Sequence, residues 1–300
     1  MMTLDQLSAF VAVAEREHVT EAAHALRLTP SAVSAAIRTL ERTYGIELFH
    51  RVGRGIELTE TGRVFLDEAR AVLARARAAE IALSDIGDLS RGRLEVWASQ
   101  TVAAYWLPPV LMRLHRRHPG LELHMQVGNT QAVVDAVLHG RAEIGFVEGA
   151  VDHGALHLRD VARDQMIVVS APDHPLAEDR PALPVLAREA SWVLREEGSG
   201  TRSEFEAALA AEGMDPRELD IVLTLPSNEA VLSAVRAGPA LTAVSAAAAA
   251  PFLRAGTLAK LDVALPARTF RSLRHKERHE SHAARALMEM ALTPPAAGTG

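Results

Sequence analysis

The sequence predicts an α/β protein that carries a smaller, all-helical domain at its start. Before Leu94, apolar residues recur at the three- and four-residue spacing of amphipathic helices. From Leu94 onward, short runs rich in β-branched residues alternate with helical stretches, which indicates mainly parallel sheets. The length of 300 residues also exceeds that of one ordinary domain, so two or three domains are expected.

Composition and charge narrow the classes of function. Because the chain has no cysteine, it cannot form disulfides, thiolate metal sites or a Cys nucleophile. The net charge of −6 argues against a generally basic surface, so any contact with DNA must come from a local patch such as 27–63, where Arg outnumbers Glu. We find no convincing export signal, and the most apolar stretch, 240–253, is too short to span a bilayer. We therefore expect a cytoplasmic protein.

A helix-turn-helix is predicted near the start of the chain. After an amphipathic helix through Leu4, Leu7 and Phe10, a short Ala-rich helix and a helix from Ser31 flank the turn "LTP" at 28–30. Short side chains there allow a close approach to a DNA major groove, whereas the alternative is a plain Ala-rich bundle. The residues expected to face DNA are Thr29, Ser31, Ser34, Ala35 and Arg38.

A β-hairpin wing is predicted to follow. Arg51, Gly53, Arg54 and Gly55 form a turn between the strand-like runs "ELF" and "IELT". Arginines at the tip of a wing are suited to phosphates or to the minor groove.

A long helix comes next, for which Thr59 is a good N-cap. Apolar positions recur from Leu66 to Leu83, and no Pro or Gly interrupts the chain from there to Gly87, which gives an apolar stripe over 60–86. Such a helix either lies back on its own domain or pairs with a second copy, and the apolar stripe favours pairing.

Polar residues occupy the loops that lead from predicted strands into predicted helices. Because ligands in α/β proteins bind beyond the carboxyl ends of parallel strands, these side chains are candidate ligand contacts. Each one alone is more often an N-cap, but several such loops together favour convergence on one cleft. The candidates are Ser99, Gln100, Thr101, Asn129, Thr130, Glu148, Ser227 and Asn228.

The stretch "EEGSGTR" at 196–202 has the composition of an anion-binding loop. Gly198 and Gly200 allow backbone N–H groups to approach a ligand closely at the start of a helix. The hydroxyls of Ser199 and Thr201 add donors, and Arg202 can bind an oxyanion with two parallel hydrogen bonds. The loop therefore predicts binding of a carboxylate, sulfate or phosphate group.

No reactive constellation accompanies this loop. The P-loop, G-x-S-x-G and H-E-x-x-H patterns are missing, as is a convincing pair of carboxylates. His275, His279 and His282 have helix-like spacing and could bind a metal, but their charged surroundings favour a solvated junction. We therefore expect no catalysis, no cofactor and no metal, and an anion that acts as a signal.

The stretch "AAHALRLTPSAVSAAIRTLERTYGIELFHRVGRGIELTETGRVFL" closely resembles the LysR-type transcriptional regulators. The resemblance implies that Pro30, Ser31 and Ser34 contact bases, that Arg54 is the wing arginine and that the long helix pairs two subunits. Ala35 departs from the Arg that many members carry at this position.

Motifs in the second half, including "GNTQAVVDAVLHG", "GFVEG" and "REEGSGTR", resemble the branch of this family that contains Calvin-cycle and sulfur-assimilation regulators. The resemblance implies a periplasmic-binding-protein-like (type 2) α/β fold whose two subdomains are joined by crossover strands. The expected divisions are a DNA-binding domain at 1–58, a linker helix at 59–89, an effector domain at 93–292 and a disordered tail at 293–300, with subdomain one at about 93–165 and 268–292 and subdomain two at about 166–267.

These features predict a DNA-binding transcriptional regulator, assembled as a homo-oligomer such as a dimer of dimers, on a pseudo-palindromic operator. Its effector would be a small phosphate ester, sulfur oxyanion or carboxylate. We expect Ser199, Thr201 and Arg202 to face the loops at Ser99 and Asn129 across a cleft, and a bound anion to favour a closed form. The alternatives are a cytoplasmic anion-binding protein and an anion-using enzyme on the same fold.

Overall fold

The structure is a computed structural model that describes residues 1–53, 55–85, 92–177 and 182–293. The chain forms two compact units, Met1–Leu83 and Ser84–Gly300. Within the described ranges, no helix combines the length and the apolar character needed to cross a membrane.

The first unit contains three short helices, a β-hairpin and a long helix. Phe10 lies at the centre of its core, with its ring centroid 5.4 Å from that of Phe49 and 5.0 Å from that of Phe65. Val33 and Ile37 are buried on the inner face of the third helix. The elements are α1 (Leu4–Arg16), α2 (Val19–Leu26), α3 (Pro30–Tyr44), β1 (Phe49–Val52), β2 (Gly55–Leu58) and α4 (Glu60–Asp85).

The hairpin is attached directly to the third helix through Glu41. This carboxylate accepts hydrogen bonds from the backbone N–H groups of Leu48, at 2.9 Å, and Phe49, at 3.4 Å. Because a charged acceptor satisfies both donors, the start of β1 is held at a fixed place on α3.

The long helix α4 has two different parts. Its first turns pack against the core of the first unit through Phe65, Leu66 and Leu73. Other apolar side chains of the same helix are exposed: Val72 is 42% exposed, and Leu83, near the end of the helix, is 72% exposed. The helix therefore packs on its own domain and also leaves an apolar surface uncovered within the chain.

The second unit is built on a nine-stranded sheet with the strand order β4-β3-β5-β11-β6-β9-β7-β8, in which β10 pairs with β6. Its strands are β3 (Gly92–Ser99), β4 (Leu121–Gly128), β5 (Ile144–Glu148), β6 (Leu156–Ser170), β7 (Ser191–Arg195), β8 (Asp220–Leu225), β9 (Ala240–Ser245), β10 (Ala259–Lys260) and β11 (Ala267–His275). Its α-helices are α5 (Leu107–Arg117), α6 (Thr130–Leu138), α7 (Leu183–Glu189), α8 (Gly200–Ala211), α9 (Asn228–Ala237), α10 (Ala246–Arg254) and α11 (His282–Leu292).

Two long strands connect the halves of this sheet. The first part of β6, as far as Gln165, pairs antiparallel with β11, whereas its last residues, Met166–Val169, pair with β9. Strands β3, β4 and β5 are parallel on one side, and β7, β8 and β9 are parallel on the other. We call the half with β3–β5 the first lobe and the half with β7–β9 the second lobe.

Each lobe has its own core. Val96, Phe146 and Leu287 are buried in the first lobe, and Trp192 lies 4.7 Å from Phe205, centroid to centroid, in the second. This arrangement places the carboxyl ends of both sets of parallel strands, and the loops that follow them, where the lobes meet.

One predicted helix differs from the structure. The sequence predicts a single helix over 102–117, but the chain forms a π-helical turn, Val102–Trp106, before α5 begins. Pro108 stands in the first turn of α5, where its missing N–H costs nothing, so a new helix starts there.

Candidate functional site

The residues predicted to read DNA lie on the outer face of α3. Thr29 caps this helix by accepting a hydrogen bond from Ala32 N at 3.2 Å, and its hydroxyl lies 3.0 Å from that of Ser31. Thr29, Pro30, Ser31, Ala35 and Arg38 are exposed and Ser34 is partly buried. Positions 31, 34 and 38 share one face because helical residues three, four and seven apart lie on the same side.

The wing is only partly described. Arg51 is exposed and lies within β1, rather than in the turn where the sequence places it. Gly53, with a φ of +58°, forms the turn, a conformation that glycine adopts without steric cost. Arg54, the predicted wing arginine, lies outside the described residues.

In the second unit, most of the predicted ligand residues meet between the lobes. Ser99 is the last residue of β3 and donates a hydrogen bond to the carboxyl group of Glu148, at the end of β5. Thr130 donates to the backbone carbonyl of Glu148 at 2.7 Å. Ser99 and Glu148 are each 1% exposed, so this contact is fully removed from solvent.

The glycine-rich loop lies against the end of β5. A Cβ atom at Gly200 would be 2.1 Å from the backbone oxygen of Glu148 and 2.6 Å from Thr130 Oγ1. On the other side of this contact, a Cβ atom at Gly149 would lie 2.9 Å from Gly200 Cα. The glycine at 200 is therefore required by a close approach of the two lobes.

Side chains from both lobes continue this contact. The hydroxyls of Thr101 and Thr201 are 3.5 Å apart, and Asn228 Nδ2 donates to Thr101 Oγ1 at 3.1 Å. Gln100 Oε1 accepts from the backbone N–H of Asn228 at 2.7 Å. Thr101, Thr201 and Asn228 are at most 1% exposed. We call Ser99, Thr101, Thr130, Glu148, Thr201 and Asn228 the cleft cluster.

Some of the predicted ligand residues cap a helix, whereas Ser199 does not. Asn129 and Ser227 are N-caps, which accept from Ala132 N at 2.9 Å and from Ala230 N at 3.0 Å. Ser199 stands at the N-cap position of α8 but makes no capping hydrogen bond, and its Oγ is buried without a hydrogen-bond partner. A buried hydroxyl without a partner is uncommon, so a ligand atom beside Ser199 would supply a hydrogen bond that the chain does not.

The structure does not bring Arg202 into the cleft cluster. Its Nε donates to Glu206 at 2.7 Å, and its Nη1 lies 3.4 Å from the carbonyl of Arg195. The side chain therefore turns along its own helix, because Glu206 is four residues away on the same face.

Two other arginines, which the sequence analysis missed, approach the cleft cluster. Arg268 on β11 donates from Nη1 to Thr201 Oγ1 at 3.0 Å and from Nε to Asp164 at 2.8 Å. Arg268 Nη2 also lies 2.8 Å from Asp164 but makes no well-aligned hydrogen bond. Arg195 donates from Nη1 to Asn228 Oδ1 at 2.9 Å. Arg195 ends β7 directly before the glycine-rich loop, so its position could have been found in the sequence, whereas Arg268 lies within β11, away from any strand-to-helix loop, and only the folded chain reveals it.

Two titratable groups near the cleft have shifted pKa values. Partial burial raises the pKa of Glu196, but the hydrogen bonds and charge of Arg195 outweigh this effect, so that its pKa lies below the ordinary value. Partial burial and the neighbouring Glu229 carboxylate, to which it donates at 3.3 Å, raise the pKa of Tyr105.

In the part of the chain that the structure describes, no group of three or more His, Asp or Glu side chains is placed to hold a metal ion. His275, His279 and His282 thus do not form such a site.

Comparisons with known proteins agree with this architecture. Residues 4–63 match the bacterial regulatory helix-turn-helix proteins of the lysR family, and residues 87–293 match the LysR substrate binding domain. The chain belongs to the LysR family of transcriptional regulators. It is 34% identical to the HTH-type transcriptional regulator YeiE of Escherichia coli (strain K12), with 96% of each chain covered.

Two further relatives lie in the predicted branch of the family. The LysR regulator is 33% identical to the RuBisCO operon transcriptional regulator of Allochromatium vinosum, which covers 81% of this chain and 80% of that one. It is 31% identical to the HTH-type transcriptional regulator CysL of Bacillus subtilis (strain 168), with 81% of each covered. The resemblance to the LysR family and to this branch is confirmed.

Solved structures confirm the predicted fold class. Full-length CbnR in complex with its target DNA matches with a TM-score of 0.66 at 21% identity, over 97% of this chain and 99% of that one. The CcmR regulatory domain of Synechocystis PCC6803 in complex with 2-PG matches with a TM-score of 0.61 at 20% identity, over 67% of this chain and 96% of that one. The protein is a LysR-type transcriptional regulator with a helix-turn-helix domain and an α/β effector-binding domain.

Proposed function

We propose that this LysR regulator binds a pseudo-palindromic DNA site, and that a small anion bound between its lobes changes that binding. The DNA-reading residues would be Thr29, Pro30, Ser31, Ser34 and Arg38 on α3, together with Arg51 and Arg54 of the wing. Their short side chains allow α3 to approach base edges, while arginines contact bases or phosphates. Because the protein acts on DNA, we place it in the cytoplasm.

We propose that the regulator assembles as a dimer of dimers. Val72, Ala76, Ala79 and Leu83 follow one another at alternating four- and three-residue spacing on α4, as in the seam of a coiled coil. Val72 and Leu83 are exposed within a single chain, so pairing with a second copy would bury them. Two-fold pairing of the DNA-binding domains then calls for two related half-sites.

The effector site that we propose is the cleft cluster with its neighbours. The observation that carries this proposal is the buried, unpartnered Ser199 hydroxyl beside a cluster of buried polar side chains from both lobes. Hydroxyl, amide and guanidinium groups are the donors that oxyanions require. The anion's contacts would come from Ser99, Gln100, Thr101, Asn129, Thr130, Glu148, Gly198, Ser199, Gly200, Thr201 and Asn228, with Arg268 in the place that the sequence assigns to Arg202.

The anion's action would depend on the direct contact between the lobes. The Thr101 and Thr201 hydroxyls lie 3.5 Å apart, so an oxygen of the anion beside them could accept from both and link the two lobes. That a bound anion favours a closed form stays a prediction. Such a ligand changes DNA binding only if it binds the two arrangements of the lobes with different affinities.

A purely catalytic or transport role fits less well. The relatives are transcriptional regulators, and a helix-turn-helix domain precedes the effector domain. We propose that the anion is bound and released unchanged.

Measuring DNA binding in the presence of anions tests this function. A DNA site selected from a random pool would be titrated by fluorescence anisotropy with and without inorganic phosphate, sulfate and small carboxylates. We expect Thr201→Val to keep DNA binding and to weaken the response to the active anion about tenfold to a hundredfold, because a hydrogen bond to a charged group is lost.

Thr257→Val is the matched control. This variant loses the hydrogen bond that Thr257 Oγ1, just after the end of α10, donates to the carbonyl of Phe252 at 3.3 Å, and its response should equal that of the wild type. A wild-type response in Thr201→Val would show that the anion acts elsewhere.

A further inference from the structure

One buried carboxyl group in the cleft cluster has no basic side chain paired with it among the described residues. The carboxylate of Glu148 accepts a hydrogen bond from Ser99, and within the described residues no Arg, Lys or His forms an ion pair with it. The other buried charges of the cleft are paired: Arg268 with Asp164, and Arg195 with Glu196. Arg268 and Arg195 therefore each have a carboxylate partner, whereas Glu148 has no basic partner within the described residues.

An anion in the proposed site cannot avoid this carboxylate. Ser99 has a single hydroxyl proton, which it donates to Glu148, so an anion that binds Ser99 competes with Glu148 for the same proton. The backbone of Glu148 also touches Gly200, the residue before Thr201, so a ligand between Ser99 and Thr201 is confined next to it.

In the structure the Glu148 carboxyl group acts as a hydrogen-bond acceptor, because Ser99 donates to it. A ligand oxygen without a hydrogen would place two acceptors against each other in a buried site, where an unsatisfied charge is costly. A ligand that carries a hydrogen at this position can donate it to Glu148 and accept from the neighbouring hydroxyls.

We infer that Glu148 selects effectors that bear a hydrogen-bond donor on or next to their charged group, such as a hydrogen-bearing oxyanion, and rejects oxyanions that are fully deprotonated. The inference rests on the proposed effector site and specifies which of its oxyanions bind. Glu148 thus determines specificity, while the hydroxyls and Arg268 supply the general affinity for anions.

Hydrogen phosphate and sulfate provide a direct test, because both are tetrahedral dianions of similar size and only the first carries a hydrogen. Binding of each to the full-length wild-type protein would be measured by isothermal titration calorimetry at about pH 8, where phosphate is chiefly the doubly charged, singly protonated species. We expect sulfate to bind at least about a hundredfold more weakly than phosphate, since a site with a buried acceptor rejects ligands that lack its donor.

A substitution at Glu148 should reverse this preference. Glu148→Gln keeps the size of the side chain and presents an amide N–H donor, so sulfate should bind at least about tenfold more tightly than to the wild type. Glu212→Gln removes one carboxylate from the exposed end of α8 and should keep the wild-type preference. If Glu148→Gln does not fold, the comparison of phosphate and sulfate binding to the wild-type protein still tests the inference.

The possible outcomes separate this inference from the proposed function. Phosphate binding with little sulfate binding supports the inference. Equal binding of both anions, abolished by Thr201→Val, overturns the role of Glu148 and leaves the effector site in place. Binding of neither anion counts against the oxyanion site itself and overturns the inference with it.

Discussion

Replacing Gly200 with Ala tests whether the lobes meet in solution as closely as the structure shows. The added Cβ atom would lie 2.1 Å from the backbone oxygen of Glu148. Reaching an ordinary contact of 3.4 Å requires a movement of about 1.3 Å. The obstructing atom belongs to the backbone of β5, so a change of rotamer cannot relieve the clash. The movement must therefore separate α8 from β5, which belong to different lobes.

The expected cost follows from the behaviour of overpacked interiors. Overpacking destabilises by about 1–3 kcal/mol, while Gly→Ala in a helix contributes about 0.5–1 kcal/mol in the opposite direction. For a domain of 150–250 residues, each kcal/mol lowers Tm by roughly 2–4 °C. We therefore expect Gly200→Ala to lower Tm by several degrees and to alter the effect of the anion on DNA binding.

Differential scanning calorimetry and the DNA titration would be performed in parallel on Gly154→Ala. At Gly154 a Cβ atom would meet nothing within 4 Å, so this control adds the same methyl group without a clash. If Gly200→Ala has an unchanged or higher Tm than wild type, together with a normal anion response, the close contact between the lobes does not exist in solution.

Two further predictions concern the first unit. Arg38→Ala should weaken DNA binding by roughly 1–3 kcal/mol and leave anion binding unchanged, because Arg38 is exposed on α3. If anisotropy titrations give the variant the same DNA affinity as the wild type, Arg38 is not part of the surface that reads DNA. Val72→Asp should shift the protein towards the monomer, because it places a charge in the exposed apolar stripe of α4. If light scattering gives the variant the mass of the wild-type assembly, this stripe is not the pairing surface.

The sequence predicts much of this fold because its signals are local. Helical spacing, the cap at Thr59 and the turn at Gly53 each depend on neighbouring residues, and each corresponds to an element of the structure. The strand-to-helix loops at Ser99 and Thr201 are also predictable, since parallel strands bring such loops to one edge of the sheet.

The charges of the site are harder to predict. Asp164 and Arg268 form a buried pair although 104 positions separate them, and nothing near either residue indicates the other. Arg202 is a different case, because the i,i+4 spacing to Glu206 is visible in the sequence and favours the ion pair that the structure shows. A glycine-rich loop alone therefore did not establish which arginine approaches the cleft.

The contacts between the lobes indicate how an effector could control this regulator. Thr101 with Thr201, Gln100 with Glu229 and Tyr105 with Glu229 meet at 3.3–3.5 Å, so these three hydrogen bonds are long and individually weak, whereas Gln100 accepts from Asn228 N at 2.7 Å. Reversing a two-state equilibrium from about 1:99 to 99:1 takes a differential affinity of roughly 5.5 kcal/mol. Hydrogen bonds to a charged group contribute about 1.5–3 kcal/mol each. Two to four of them, made in only one of the two arrangements of the lobes, are therefore sufficient for this difference in affinity. The buried hydroxyls of Thr101, Ser199 and Thr201 provide that number, so a small anion can make enough hydrogen bonds to act as the switch.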